Sequence, residues 1–375
     1  MKKWQVIDLV RSFSIIAVMG VHNYANIPFQ HAWTCWLWGR FCLNGFYGVL
    51  LFLMVSGFLI THVIAKNPGG LAKPNLRLFY VQRIGRIWPL FLLVCGFGGL
   101  LYLLGSPNGP RYREWFQPGP YYGPWFWLSI PTFLFNWFLV AFNDWGYAGQ
   151  WNILWSLSIE EQFYLFYPLC LKKIARKTRG WMVALGVILF AMAWRLFFYF
   201  HWTGNHFIQS YGTPAKLDMI AMGILLYWTV QHHGKALSRA GALSACLCVA
   251  GGLLLLASYF GTRWNDPLEE IYAPELLGLG LFLFLLGGLH LSFFESALLR
   301  PLSLPGKYCY GGYLLHLPLK SLLDPFLGRF DVFSRFGICI LATTLVAASS
   351  YHFFEMPLNR AIRRHFGGKT APRTR

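Results

Sequence analysis

Val6-Ile-Asp8-Leu-Val-Arg11-Ser-Phe-Ser-Ile-Ile-Ala-Val-Met-Gly-Val-His22 is an apolar run broken by three ionisable side chains. Crossing a bilayer takes about 20 apolar residues, and this run extends to about residue 27. Lys2 and Lys3 precede it, as they would in a secretory leader. Asp8 and Arg11 interrupt the apolar core that a leader needs, and no small-residue cleavage site follows, so the segment reads as a first membrane helix. Ionisable groups inside lipid are costly unless paired or solvated, which makes each a functional candidate. Arg11 and His22 are eleven residues apart, so they share a helix face about 16 Å apart along the axis. Arg11 falls near the cytoplasmic end and His22 near the outer third. Asp8 lies one turn before Arg11 and can pair with it.

Nine further runs have the same character: 44–65, 87–105, 152–171, 181–201, 214–231, 240–260, 273–291, 308–325 and 334–354. Across all 375 residues 56% are hydrophobic and only 12% charged, against about 25% charged in soluble domains. Mean hydropathy is +0.45. The expectation is an all-α polytopic membrane protein of about ten transmembrane helices with both termini cytoplasmic. Residues 1–360 form the membrane domain and 361–375 a basic cytoplasmic tail. The apolar stretch 125–143 contains Pro131 and follows Pro124, and counting it as a crossing would put Lys172–Arg179 outside. It is read as an interfacial or re-entrant element.

The net charge of +18 follows this topology. Most Lys and Arg fall in Lys2–Lys3, Lys66–Arg86, Lys172–Arg179, Lys235–Arg239, Arg300–Lys307 and Arg360–Arg375, all on one side of the ten-span scheme. The alternate loops hold only Arg40, Arg111, Arg113, Arg263, Arg329 and Arg335. That bias is the positive-inside pattern, and nucleic acid is not needed to explain the charge. Six of eight cysteines lie in apolar runs as small hydrophobes. Cys35 and Cys42 share an outer loop and can pair in an oxidising compartment. No Cys/His grouping has metal-site spacing, and His232-His233 reads as part of a polar turn.

Several motifs occur in order along the chain. Asp8-Leu-Val-Arg11 with His22 is followed by Gly48-Val-Leu-Leu-Phe-Leu-Met-Val-Ser56-Gly57-Phe58 and Arg83-Ile-Gly-Arg86-Ile-Trp88-Pro89. Then come Trp155-Ser-Leu-Ser-Ile-Glu160-Glu161-Gln162-Phe-Tyr164, Lys216-Leu-Asp218 before Gly223, Tyr313-Leu-Leu-His316-Leu-Pro318 and Phe354-Glu355-Met-Pro357. Together these resemble the integral-membrane acyltransferase 3 family over nearly the whole chain. The resemblance implies a ten-helix enzyme, in a bacterial inner membrane, that moves an acyl group from acyl-CoA, commonly acetyl-CoA, to a hydroxyl of a cell-surface carbohydrate or lipid-linked sugar. Leu50 stands where many relatives are acidic, and Met356 replaces the Arg of the usual Glu-Arg-Pro. Some relatives continue into an extracytoplasmic SGNH hydrolase-like domain. This sequence holds no such segment, and the expectation is a stand-alone form.

Acyl transfer to a hydroxyl needs a base, and histidine titrates near neutral pH. His22 is the candidate, either as that base or as an acyl-carrying nucleophile. Arginine's forked donors suit phosphate, so Arg11, Arg83 and Arg86 are candidates for the nucleotide end of CoA; the plainer reading of Arg83 and Arg86 is positive-inside anchoring. Glu160 and Tyr164 share a helix face. Glu160 is a candidate for orienting His22 or binding the acceptor, and Tyr164 for acceptor contacts; Lys216 and Asp218 read either as acceptor contacts or as partners of side chains on other helices. His316 is a second candidate for proton handling or a satisfied core histidine. The aromatic segment Trp115–Trp127 reads either as a floor for a sugar ring or as an interfacial belt. No metal is expected; the partners expected are acyl-CoA, the sugar acceptor and membrane lipid. The rival reading is a secondary transporter or flippase for a glycolipid or polysaccharide precursor, although the paired, broken halves common in transporters are not visible.

Overall fold

The computed structural model describes residues 4–22, 32–104, 123–143, 149–174, 180–201, 205–264 and 266–367. Among the described residues every regular element is helical. In chain order the helices are α1 (Gln5–Val21), α2 (Ala32–Leu43), α3 (Tyr47–Lys66), α4 (Leu76–Leu104), α5 (Pro124–Ser129), α6 (Phe135–Phe142), α7 (Leu154–Ile174) and α8 (Gly180–His201). They continue with α9 (His206–Tyr211), α10 (Leu217–Arg239), α11 (Gly241–Gly261), α12 (Glu269–Gly288), α13 (Leu304–Lys307), α14 (Cys309–Leu327), α15 (Val332–Ser350) and α16 (Met356–Phe366). Each of the ten predicted spans coincides with a helix of 17 residues or more. Among the described residues six stretches are long and apolar enough to cross a membrane: Trp36–Lys66, Leu76–Leu100, Gly180–His201, Gly241–Gly261, Glu269–Gly288 and Val332–Phe366. The other predicted spans correspond to α1, at 17 residues, and to α7, α10 and α14, which carry charged side chains. The chain is an all-α membrane protein.

The helices are apolar on the outside, as lipid demands. In α8 the buried residues are Ala184, Ile188, Ala191 and Arg195, one stripe at helical spacing. Leu189, Phe190, Phe197 and Phe200 are exposed. In α11 the buried set is Ser244, Cys248, Gly251, Ser258 and Tyr259, while Val249, Leu253 and Leu256 face outward. Lipid tails are as apolar as leucine, so helices associate through small residues and polar contacts instead.

The chain forms two compact units. The first comprises Met1–Thr61, Arg179–Cys309 and Phe330–Ile340. Its helices approach backbone to backbone at glycines. A Cβ on Gly57 would sit 2.2 Å from the Ile220 carbonyl oxygen, and one on Gly223 1.9 Å from that of Met54, so α3 and α10 touch at both points. The α11–α12 hairpin closes in the same way at Gly251, Gly280 and Gly287. The short α13 presses on α1, where the Gly306 N–H donates to Ser12 Oγ at 2.8 Å.

The second unit comprises His62–Thr178, Tyr310–Arg329 and Leu341–Arg375. Within it the stretch 125–143 is two short helices, broken after Pro131 at Phe133, whose φ is +54°. Gln162, midway along α7, donates to the Phe133 carbonyl at 2.7 Å and to Asn136 Oδ1 at 2.9 Å. The Phe133 ring packs on Trp88 and Phe91 of α4. This is a broken element turned in against helices, not a straight crossing. Glycine again sets a contact, with Gly85 of α4 under Asn359 of α16.

Some boundaries differ from those read in the sequence. The segment before residue 44 is helical from Ala32 and joins α3 through a 3-10 turn at Asn44–Phe46, with Asn44 bonded to the Tyr259 and Thr262 carbonyls. α4 begins at Leu76, so Arg83 and Arg86 lie on a helix and not at its entrance. α10 continues to Arg239, which puts His232 and His233 on a helix instead of in a turn. A helix also runs through the boundary drawn at 360, to Phe366. The Cys35–Cys42 pairing, most of the 115–127 segment and the last residues of the tail lie outside the described residues.

Overpacking a tight contact costs about 1–3 kcal/mol. Gly223→Ala is expected to lower the melting temperature of the purified protein. Gly186→Ala, on the open face of α8 where an added Cβ meets nothing within 4 Å, is expected to leave it unchanged.

Candidate active site

In the first unit, α1 carries the Arg11–His22 pair. Arg11 Nη1 lies 3.4 Å from Asp8 Oδ1, the contact expected one turn apart. The regular helix ends at Val21, and His22 follows as its C-cap in a helical conformation. Both side chains therefore remain on the α1 register. The His22 ring meets the Phe46 ring edge-on, at 6.4 Å and 74°. Phe46 stacks on Trp264 at 5.2 Å.

The same unit holds a cluster of buried charges. Arg195 of α8 donates to Asp218 Oδ2 of α10 at 2.8 Å and to Glu275 of α12. It also donates to the Ala215 and Ile271 carbonyls, so one guanidinium links three helices. The side chains of Arg195 and Asp218 are fully buried. Lys216 is buried as completely. Among the described residues its ammonium has no hydrogen-bond acceptor, and it lies over the Trp264 ring, 5.0 Å from the centroid. Glu270 accepts from Ser210. Lys216 and Asp218 were read either as acceptor contacts or as partners of side chains on other helices. Both are buried, and Asp218 is engaged by Arg195 of α8, an instance of the second reading.

In the second unit, α7 and α14 bring the remaining motif residues together. The Tyr164 hydroxyl donates to Glu160, its i−4 neighbour. The Arg83 guanidinium of α4 lies 5.1 Å from the Tyr164 ring centroid and 5.8 Å from that of Phe79. Neither Arg83 nor Arg86 has an ion-pair partner among the described residues, and Arg86 is exposed. Arg83 is thus held by aromatic faces, which leave most of its N–H donors uncommitted. Uncommitted guanidinium donors suit the phosphates of a CoA nucleotide. Glu161, next to Glu160 on α7, lies in the electrostatic field of Arg83, with Oε1 buried and without a partner among the described residues.

One turn back along α7, Ser156 Oγ is 2.7 Å from the Tyr313 hydroxyl, which donates to the Ile153 carbonyl at 2.8 Å. Another tyrosine of α14, Tyr310, donates to the Ile87 carbonyl at 2.5 Å. His316 is 2% exposed, with Nδ1 2.7 Å from the Tyr313 carbonyl oxygen. A carbonyl only accepts, so in the neutral ring Nδ1 carries the proton and Nε2 the basic lone pair. Glu355, at the end of the π-helical turn Tyr351–Glu355, is buried and accepts from Ser350 at 3.0 Å. Arg195, Glu275, Gln162 and Tyr313 were not singled out for these roles. Arg195 had a usable signal, a lone cation in the middle of an apolar run; the other three had none beyond residue type.

The acyltransferase domain that defines the acyltransferase 3 family matches residues 4–352, a range that takes in α1, α4, α7 and α14. The chain belongs to this family. It is similar to O-acetyltransferase OatA of Staphylococcus aureus strain NCTC 8325, 26% identical over 367 residues, covering 94% of this chain and 57% of the relative. It is equally similar to SACOL0978 of S. aureus strain COL, provisionally named an O-acetyltransferase, at 26% over 378 residues, covering 96% of this chain and 58% of that protein. The chain therefore spans a little over half the length of these relatives. No solved structure matches it.

Removing one member of a buried ion pair strands its partner's charge, at about 3–5 kcal/mol. Arg195→Ala leaves Asp218 and Glu275 facing each other. It is expected to destabilise the protein more than Arg86→Ala, an exposed site, in parallel thermal unfolding.

Proposed function

We propose that the chain is a membrane O-acyltransferase that moves an acetyl group from cytoplasmic acetyl-CoA to a hydroxyl of a cell-surface or exported carbohydrate. The observation that carries the reading is the match to the acyltransferase domain over residues 4–352. The OatA relatives favour acetyl as the group transferred. The positive-inside charge pattern and the helices coinciding with ten predicted spans support ten crossings of a bacterial inner membrane with both termini cytoplasmic.

In the proposed reaction His22 takes the proton of the acceptor hydroxyl as its oxygen attacks the thioester carbonyl carbon. The carbon–sulfur bond then breaks, and the thiolate leaves with a proton as free CoA. The alternative course carries the acetyl group on His22 before the hydroxyl receives it. Arg83 and Arg86 of the second unit hold the phosphates of the donor. The aromatic cradle of Arg83 and the absence, among the described residues, of an ion pair at Arg83 and Arg86 support that role, because an arginine already neutralised by a carboxylate, as Arg11 is by Asp8, is a poor phosphate ligand. Glu160 with Tyr164, and His316 with its basic Nε2, are the second unit's candidates for accepting or relaying protons.

Acetyl-CoA binding to detergent-purified protein tests the donor half, since a ligand that binds the folded state raises its melting temperature. Saturable binding is expected in the wild type and in His22→Ala, and weakened binding in Arg83→Ala. His22→Ala is expected to lose acetyl transfer while keeping its fold. Silence towards acetyl-CoA, succinyl-CoA and free CoA in well-folded protein would overturn the reading in favour of a transporter.

A further inference from the structure

Three aromatic and cationic side chains of the first unit are arranged behind His22. Its ring rests edge-on against Phe46. Phe46 is stacked on Trp264 with the planes 24° apart. The Trp264 ring in turn carries the Lys216 ammonium 5.0 Å from its centroid and the Tyr47 ring edge-on at 5.6 Å. The Trp264 backbone is fixed too, because its N–H donates to Asn44 Oδ1 at 3.0 Å. Asn44 also donates to the Tyr259 and Thr262 carbonyls at 2.6 and 2.8 Å. One asparagine thus joins the turn that carries Phe46 to the end of α11 and to Trp264.

Lys216 is costly where it stands. A fully buried ammonium without a hydrogen-bond acceptor loses hydration that a carboxylate would ordinarily offset. Asp218 is engaged by Arg195, and Glu270 and Glu275 act on Lys216 through their charge without accepting a hydrogen bond from it. The direct contact that Lys216 makes is with an aromatic face, and a desolvated cation on tryptophan is among the stronger contacts of that type. Lys216 therefore holds Trp264 in place, Trp264 holds Phe46, and Phe46 sets the plane of the His22 ring. We propose that Phe46, Trp264 and Lys216 are positioning residues for His22, and that their stack fixes the direction in which the imidazole nitrogens meet the reacting groups.

This inference rests on the reading of His22 as the reacting histidine. Proton or acyl transfer requires a heavy-atom approach of about 2.6–3.2 Å. A ring free to turn at the end of α1 would meet that requirement only part of the time. A displacement of about 1 Å from a change remote from the chemistry can lower turnover by about 100-fold.

The test uses full-length protein in membrane vesicles from the cell that produces it, which supply the acceptor, with radiolabelled acetyl-CoA as donor. Trp264→Ala is expected to lower kcat by about 10- to 100-fold, with KM for acetyl-CoA and the thermal shift it produces unchanged. Trp264→Phe, which keeps a stacking ring, is expected to recover most of the loss. If Trp264→Ala does not fold, Phe46→Leu, which keeps volume but removes the ring, takes its place with the same expectation. Wild-type kcat in the variant, or a loss that appears equally in acetyl-CoA binding, overturns the positioning role. Turnover retained in His22→Ala points elsewhere, to failure of the reading of His22 itself.

Discussion

A charge carried into the bilayer on an apolar helix has no water to turn to, and its partners must come from its own helix or from the helices packed against it. Arg195 states that constraint most plainly. It is the one charged residue on the buried stripe of α8, and it is matched by Asp218 on α10 and Glu275 on α12. Meeting those partners sets how the three helices sit against one another. The glycine contacts complete what the charges begin. Gly57 and Gly223 bring α3 to the backbone of α10, close enough for dispersion to hold the pair without a hydrophobic drive. Around this core the outward faces are free to be leucine and phenylalanine, which lipid accepts.

The motif residues follow the same economy of placement. On α7, consecutive side chains serve different neighbours: Ser156 meets Tyr313, Glu160 meets Tyr164, Glu161 lies in the field of Arg83, and Gln162 holds the broken 125–143 element. A short block can do this because a helix presents a new direction every 100° or so. On α1, by contrast, Arg11 and His22 share a face at opposite ends.

Legibility in the sequence varied with range. The ten apolar segments were visible because lipid demands continuous apolar length, and a helix coincides with each. The Asp8–Arg11 pair was visible because a helix brings residues one turn apart into reach. The turn expected at His232-His233 was not there, since polar residues at a helix end do not by themselves break hydrogen bonding, and α10 runs on to Arg239. Lys216 and Asp218 were recognised as significant, but their direction was not. Whether such side chains face an acceptor or a buried partner depends on helices far away in the chain.

The amino-acid sequence by itself determined the class of the protein and the helices it would form, because hydropathy and charge bias act locally and along one dimension. It also picked out candidate residues for the chemistry, through motif spacing on individual helices. Only the tertiary structure decided which of those residues meet. Arg195 with Asp218 and Glu275, Tyr313 with Ser156, and Lys216 with Trp264 and Phe46 behind His22 are contacts between residues up to 218 positions apart. Nothing periodic in a sequence encodes such distances; they arise when buried charges and backbone-close glycines leave the helices one way to pack.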